Sequence, residues 1–189
     1  LILNKSLDST SDWQVYSEPT GNGNKLGLNT TAAASSTTRF DSTSPTATVF
    51  TLRDIGLGTG QIAYCFHSVE NFSKIGSYTG NGSDNGPIVE TGFEPAMVIV
   101  KVTSSAGYNW YIVDDKRDLT NPRKTILYPN LSNAEVTSNW FDFYSNGFKV
   151  ITNSGGANLN GATIIYIAFG SDASAAPALP DSFGSKLYT

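Results

Sequence analysis

Two short stretches, far apart in the chain, read almost alike, and their agreement limits the fold more than any other feature. Asp12-Trp13-Gln14-Val15-Tyr16 falls on Asn109-Trp110-Tyr111-Ile112-Val113 at an offset of 97 residues, and Leu1-Ile2-Leu3 falls on Val98-Ile99-Val100 at the same offset. Other segments keep the order. Lys25 to Thr31 matches Thr125 to Ser132, Arg39-Phe40-Asp41 matches Trp140-Phe141-Asp142, and Val49 to Leu52 matches Phe148 to Thr152. Each series closes on an apolar segment ending in Phe-x-Ser, Ile62 to Ser68 and Ile165 to Ser171. A spacing near 100 residues exceeds a solenoid unit and suits a small β domain.

The pattern predicts two copies of one unit, residues 1–71 and 72–171, followed by a tail over 172–189. Only the second copy has an opening hairpin, from Gly76 to Gly82 and on through Pro87-Ile88-Val89 to Phe93. The first copy is therefore expected to be truncated at its start, within a longer polypeptide. No stretch keeps an apolar period of 3.6 over a helix length, whereas short alternating runs between Gly, Asn and Pro turns recur. The expected fold is all-β, two tandem antiparallel sandwich units of jelly-roll-like type. Strands are expected at residues 1–5, Trp13 to Ser17 and Thr48 to Arg53, and the Thr30 to Thr38 run reads as loop or weak strand. Asn158 to Ala162 is expected to be a hairpin turn before the last strand. The tail, Ala-rich with Pro177 and Pro180, reads as a linker or as an arm anchored by Phe183, Leu187 and Tyr188.

Only 15% of residues are charged, the net charge is −4 and the pI is near 4.8. Nucleic-acid binding needs a basic face to displace counterions, so it is not expected here. No apolar run approaches the roughly 20 residues of a membrane helix. Cys65 is the sole cysteine and is expected to be a small buried residue, its counterpart being Ala168.

The chain offers little catalytic material. His67 is the only histidine and falls opposite Gly170, a position that suits a structural role. Without further His or Cys ligands, no metal and no cofactor is expected. Gly56-Leu57-Gly58-Thr59-Gly60 resembles a phosphate loop, but a strand, not a helix, follows it, so a turn is the better account. Asp114, Asp115 and Asp118 form the one acidic cluster, off the EF-hand spacing and next to Lys116, Arg117, Arg123 and Lys124. A salt-bridged loop is expected, with Ca²⁺ ligation and glycosidase carboxylates as the alternatives. Trp13 and Trp110 recur at equivalent strand positions and are expected in the core. Tyr108, Tyr128 and Tyr144 lie beside turns, where exposed rings could stack on sugars, and Tyr108, Tyr128, Asp114 and Asp118 are the candidate ligand-binding residues. No residue is put forward as catalytic.

A motif string adds to this reading. Ala63-Tyr64-Cys65-Phe66, Phe72 to Gly82, Gly86-Pro87, Thr91-Gly92-Phe93, Lys116-Arg117-Asp118, Asn121-Pro122, Leu127-Tyr128-Pro129-Asn130, Ser145-Asn146-Gly147-Phe148 and Tyr166-Ile167-Ala168-Phe169 run in that order. The string resembles a repeat family in virion structural proteins of tailed bacteriophages, marine and cyanobacterial ones in particular, where such repeats often follow a concanavalin-like lectin domain. The tail after Ser171 departs from that pattern. The resemblance implies a non-enzymatic protein at the virion surface, either tail fibre or spike or capsid decoration. It implies sister chains, as a homotrimer, and other virion proteins as partners, with a host-surface glycan as ligand. The rival expectations are a carbohydrate-binding module of a secreted protein and a polysaccharide depolymerase.

Overall fold

A computed structural model describes residues 1–40, 43–46, 48–53 and 56–171. The fold is all-β. Strands β1 (Ile2–Ser6), β2 (Gln14–Tyr16), β3 (Asn24–Gly27), β4 (Ser35–Ser36) and β5 (Gln61–Cys65) make one antiparallel sheet in the order β4-β3-β2-β1-β5. Strands β6 (Ser73–Thr79), β8 (Pro95–Val102), β9 (Trp110–Asp114) and β13 (Thr163–Gly170) make a second, β6-β13-β8-β9. A third, β10-β11-β12-β7, comprises β7 (Ile88–Glu90), β10 (Arg123–Ile126), β11 (Val136–Tyr144) and β12 (Gly147–Val150). A helical turn, α1 (Gly155–Asn158), precedes β13.

The sheets stack, with the second in the middle. Its strands carry near-continuous apolar runs, Met97 to Val100 and Ile164 to Ala168, because both faces are covered. One face (Val98, Val100, Val102, Val113, Ile164) packs on Phe141, Phe143, Phe148 and Val150 of the third sheet. The other face (Ile99, Trp110, Ile165, Ile167) packs on Leu1, Leu3, Val15 and Leu26 of the first. Each fully buried Ile or Leu in that interface contributes roughly 1.5–3 kcal/mol. The indole of Trp110 is fully buried there and donates to the Gly27 carbonyl at 2.8 Å. The far face of the first sheet is covered by Phe40, Phe50 and Leu52 over Ile2 and Tyr16.

The strand orders β2-β1-β5 and β9-β8-β13 run alike, and local hydrogen bonds recur with them. Asn29 accepts from the Trp13 N–H at 3.0 Å and donates to Asp12 at 2.7 Å; Asn130 accepts from the Trp110 N–H at 2.9 Å and donates to Asn109 at 2.7 Å. Lys5 Nζ donates to the Ser9 carbonyl and Lys101 Nζ to that of Tyr108, each closing the loop into the next strand.

Pairing corrects the expected offset for the first strand. Ile2 sits between Tyr16 and Cys65, as Val98 sits between Val113 and Ala168. Ile2 thus answers to Val98, one residue from the sequence alignment, and a one-residue slip exchanges the two faces of a strand. The burial agrees, since Ile2 and Val98 are buried while Leu3 and Ile99 are half-buried.

Other expectations also give way. Cys65 is exposed, because β5 is the edge of its sheet, whereas Ala168 lies between two strands. Trp13 is only half-buried. Residues 48–53 form no strand; Phe50 and Leu52 pack inward, but the segment lacks the flanking strands that hold β12. The opening hairpin is no hairpin, since β6 joins the middle sheet and β7 the third. Asn158 ends a helical turn instead of opening a hairpin. Buried, it accepts from the Asn81 N–H at 2.7 Å and donates to Asn81 Oδ1 and the Ser83 and Thr152 carbonyls, so one side chain ties down the loop after β6. The glycine-rich loop closes on the Asp8 carboxylate, which accepts from the Gly60 N–H at 2.7 Å, and runs into β5. The expectations for the tail lie outside the described residues.

Candidate functional site

Strand β9 carries both halves of the expected ligand site, at opposite ends. Tyr108 precedes the strand and Asp114 ends it, about 20 Å apart along extended backbone. Tyr128 joins the tyrosine end, because Leu127 bridges to Ile112. Asp118 joins the other, past the turn after Asp114. The structure therefore brings Tyr108 and Tyr128 together and Asp114 and Asp118 together, as two separate groups.

The tyrosine group is a built aromatic cluster. Tyr111 is the buried member, its ring centroid 4.6 Å from Trp140 and 5.4 Å from Tyr128, in tilted geometries that aromatic quadrupoles favour. Burial pushes its phenol above the ordinary tyrosine value, against hydrogen bonding from Asn109. Tyr108 and Tyr128 are half-buried and pack on the same core. Helical turn α1 lies against the rings, and only glycines fit there. A Cβ on Gly155 would stand 2.8 Å from the Tyr108 ring, and one on Gly156 2.6 Å from that of Tyr111. The outcome is an aromatic cluster with Tyr111 buried and Tyr108 and Tyr128 half-buried at its margin.

The aspartate group is spent on its own loop. Asp114 accepts from the Lys116 and Arg117 N–H groups at 3.0 and 2.9 Å and pairs with the Arg117 guanidinium. Burial opposes its ionisation, but the side-chain and backbone bonds from Arg117 outweigh that and hold the carboxyl below its ordinary value. Asp118 is buried and accepts from the N–H groups of Lys124 and Thr125 at 2.8 and 2.6 Å and from the Thr125 hydroxyl. There too burial is outweighed, by the Thr125 and Lys124 N–H groups, and the pKa falls. Arg123 sits 5.0 Å over the Phe143 ring and donates to the Asp118 carbonyl. Among the described residues no group of three or more His, Cys, Asp or Glu side chains could hold a metal ion. No described helix is long and apolar enough to cross a membrane.

Sequence reasoning missed a second region, beside β5. Trp13 and Tyr64 stack at 6.1 Å and 26°, with Tyr64 48% exposed. On the opposite face a recess of about 650 Å³ is lined by Ile2, Tyr16, Glu18, Phe50, Cys65 and His67. The available signal was the Tyr64-Cys65-Phe66 run itself, apolar and yet on a strand with one neighbour.

Residues 1–172 match the family described as Domain of unknown function (DUF7483). No curated protein and no solved structure matches the chain.

Proposed function

This chain belongs to the DUF7483 family, and we propose that it serves as a non-enzymatic structural module at the surface of a virion, a tail fibre or spike or a capsid decoration. The resemblance of its motif string to repeat proteins of tailed bacteriophages supports that location. On this reading the chain is one β unit used twice, over 1–71 and 72–171, and the recurring strand order and asparagine clasps favour it. Sister chains, as a homotrimer, and other virion proteins are the partners, and the Tyr108–Tyr128 surface takes a host glycan.

The observation that carries the non-enzymatic part is the state of the acidic cluster. A glycosidase needs two carboxylates facing one cleft, one of them free to carry a proton. Asp114 and Asp118 instead hold backbone N–H groups of their own loop, with their pKa values moved down, away from a proton donor's. The test pairs immunogold labelling of purified particles with a glycan array. Label at fixed stoichiometry on capsid or tail supports the virion reading, and label confined to a secreted, particle-free fraction replaces it with the carbohydrate-binding module. Tyr108→Ala and Tyr128→Ala should each cut array binding roughly tenfold, the scale of one lost stacking contact. Turnover of a polysaccharide that Asp114→Asn and Asp118→Asn abolish would establish the depolymerase instead.

A further inference from the structure

The tetrapeptide Thr-Gly-Asn-Gly occurs twice, as Thr20-Gly21-Asn22-Gly23 and as Thr79-Gly80-Asn81-Gly82, and the fold treats the two in opposite ways. An Asn-Gly bond is fragile where the glycine N–H is free. The glycine nitrogen can then attack the asparagine side-chain amide, and glycine has no Cβ to stand in its path. At the second tetrapeptide the fold holds both reactants. Gly82 donates its N–H to the Asn158 carbonyl at 3.0 Å. The Asn81 side chain donates to the Asn85 carbonyl and accepts from the Ser83 N–H and from Asn158 Nδ2, each at 3.0 Å. The remaining Asn-Gly pairs are held as well. Gly86 donates to the Val150 carbonyl at 3.0 Å and Gly161 to the Gly80 carbonyl at 2.9 Å. Gly147 pairs with Tyr144 in the hydrogen-bonded phase that the Ile151 N–H on the Trp140 carbonyl sets.

Asn22-Gly23 is the exception. Among the described residues nothing accepts from the Gly23 N–H and nothing donates to the Asn22 carbonyl, so this peptide unit can rotate. The turn around it closes on a long bond, from the Asn24 N–H to the Gly21 carbonyl at 3.3 Å, and Asn22 Nδ2 donates to Ser44 Oγ at 3.2 Å. We propose that Asn22 is a self-modification site, at which the Gly23 nitrogen closes on the Asn22 side chain. The nitrogen bonds to Asn22 Cγ and gives its proton to water, the side-chain nitrogen leaves as ammonia, and a succinimide ring results. One water then opens the ring at either carbonyl and leaves aspartate or isoaspartate. The added carboxylate lowers the net charge of −4 by one. Isoaspartate also lengthens the main chain just before β3, beside the bond from the Thr37 N–H to the Gly23 carbonyl. Exposure alone predicts the reverse preference, since Asn81, Asn85, Asn146 and Asn160 are exposed and Asn22 is half-buried.

The test incubates the full chain at mildly alkaline pH in water enriched in heavy oxygen, and reads the label at each Asn-Gly site by peptide mass spectrometry. Asn22 should convert roughly tenfold faster than Asn81, the ratio that an opening cost of about 1.4 kcal/mol imposes on a locked site. In urea, where the locking bonds are lost, the two identical tetrapeptides should convert at equal rates. Asn22→Gln should remove the label at that position, because the ring would need one more atom, and leave the other sites unchanged. Asn81 converting as fast as Asn22 in the folded chain overturns the proposal. So does a lead of Asn22 that survives in urea, since the fold would then not be its cause.

Discussion

The first sheet and the middle sheet share a similar strand order but border opposite interiors. In the second half Val100, Ile164 and Trp140 meet in an apolar core. At the matching places in the first half stand Asn4, Gln61 and Arg39. Arg39 is 1% exposed and donates to Asn4 Oδ1 at 3.3 and 3.0 Å, to Gln61 Oε1 at 2.7 Å and to the Arg53 carbonyl. Asn4 Nδ2 in turn donates to Gln61 and to the Ile62 carbonyl. The β framework thus specifies where side chains go, not their polarity. What a polar interior demands is completeness, because each buried group stripped of its partner costs its full desolvation.

The largest expected effect breaks that completeness. Arg39→Met should destabilise the fold by about 1–3 kcal/mol, because it leaves the buried acceptors of Asn4 and Gln61 without their donor. The triple change Asn4→Val, Arg39→Trp, Gln61→Ile should recover most of that loss if the two interiors are interchangeable. Urea denaturation of the single and triple variants decides it, and a triple no better than the single removes the equivalence.

A smaller effect sharpens the comparison at the clasps. Asn130→Ala and Asn29→Ala should each cost about 0.5–1.5 kcal/mol, with Asn130 the costlier because its strand start is more buried. Equal losses would mean that burial does not discriminate the two loops.

The smallest effect is in pH. Lys101 is buried, and that burial lowers its pKa to about 8. Its counterpart Lys5 is half-buried. Between about 8 and the ordinary lysine value the unfolded chain holds more protons than the folded one, so the Lys101 contribution makes stability rise with pH across that window. A change of Tm with pH over this range that is more positive in the native chain than in Lys101→Met is the expected result.

Much of this plan was legible in the residues, and the misses have physical causes. The tryptophan strands and the closing Phe-x-Ser strands stood out because flanking turns fix their ends. The first strand slipped by one because Leu1-Ile2-Leu3 is apolar at every position, both faces being covered, and an unbroken run carries no phase. Cys65 reads as core because its neighbours are apolar; its exposure depends on which strand lies beside β5, a property of the sheet and not of the segment. Tyr108 and Tyr128 stand out as rings beside turns, and Asp114 and Asp118 as members of the acidic cluster. That they form two groups follows only from the length of β9 between them.

The interface around Trp110 has a mechanical consequence. Besides the indole, backbone bonds from Ala34 to Thr103 and from Gly107 to Thr31 cross between the halves. The halves are therefore not beads on a string. Stretched from its ends, the chain should resist as one body and yield in a single rip, with no early half-length step, since opening either half first strips the covering from the other.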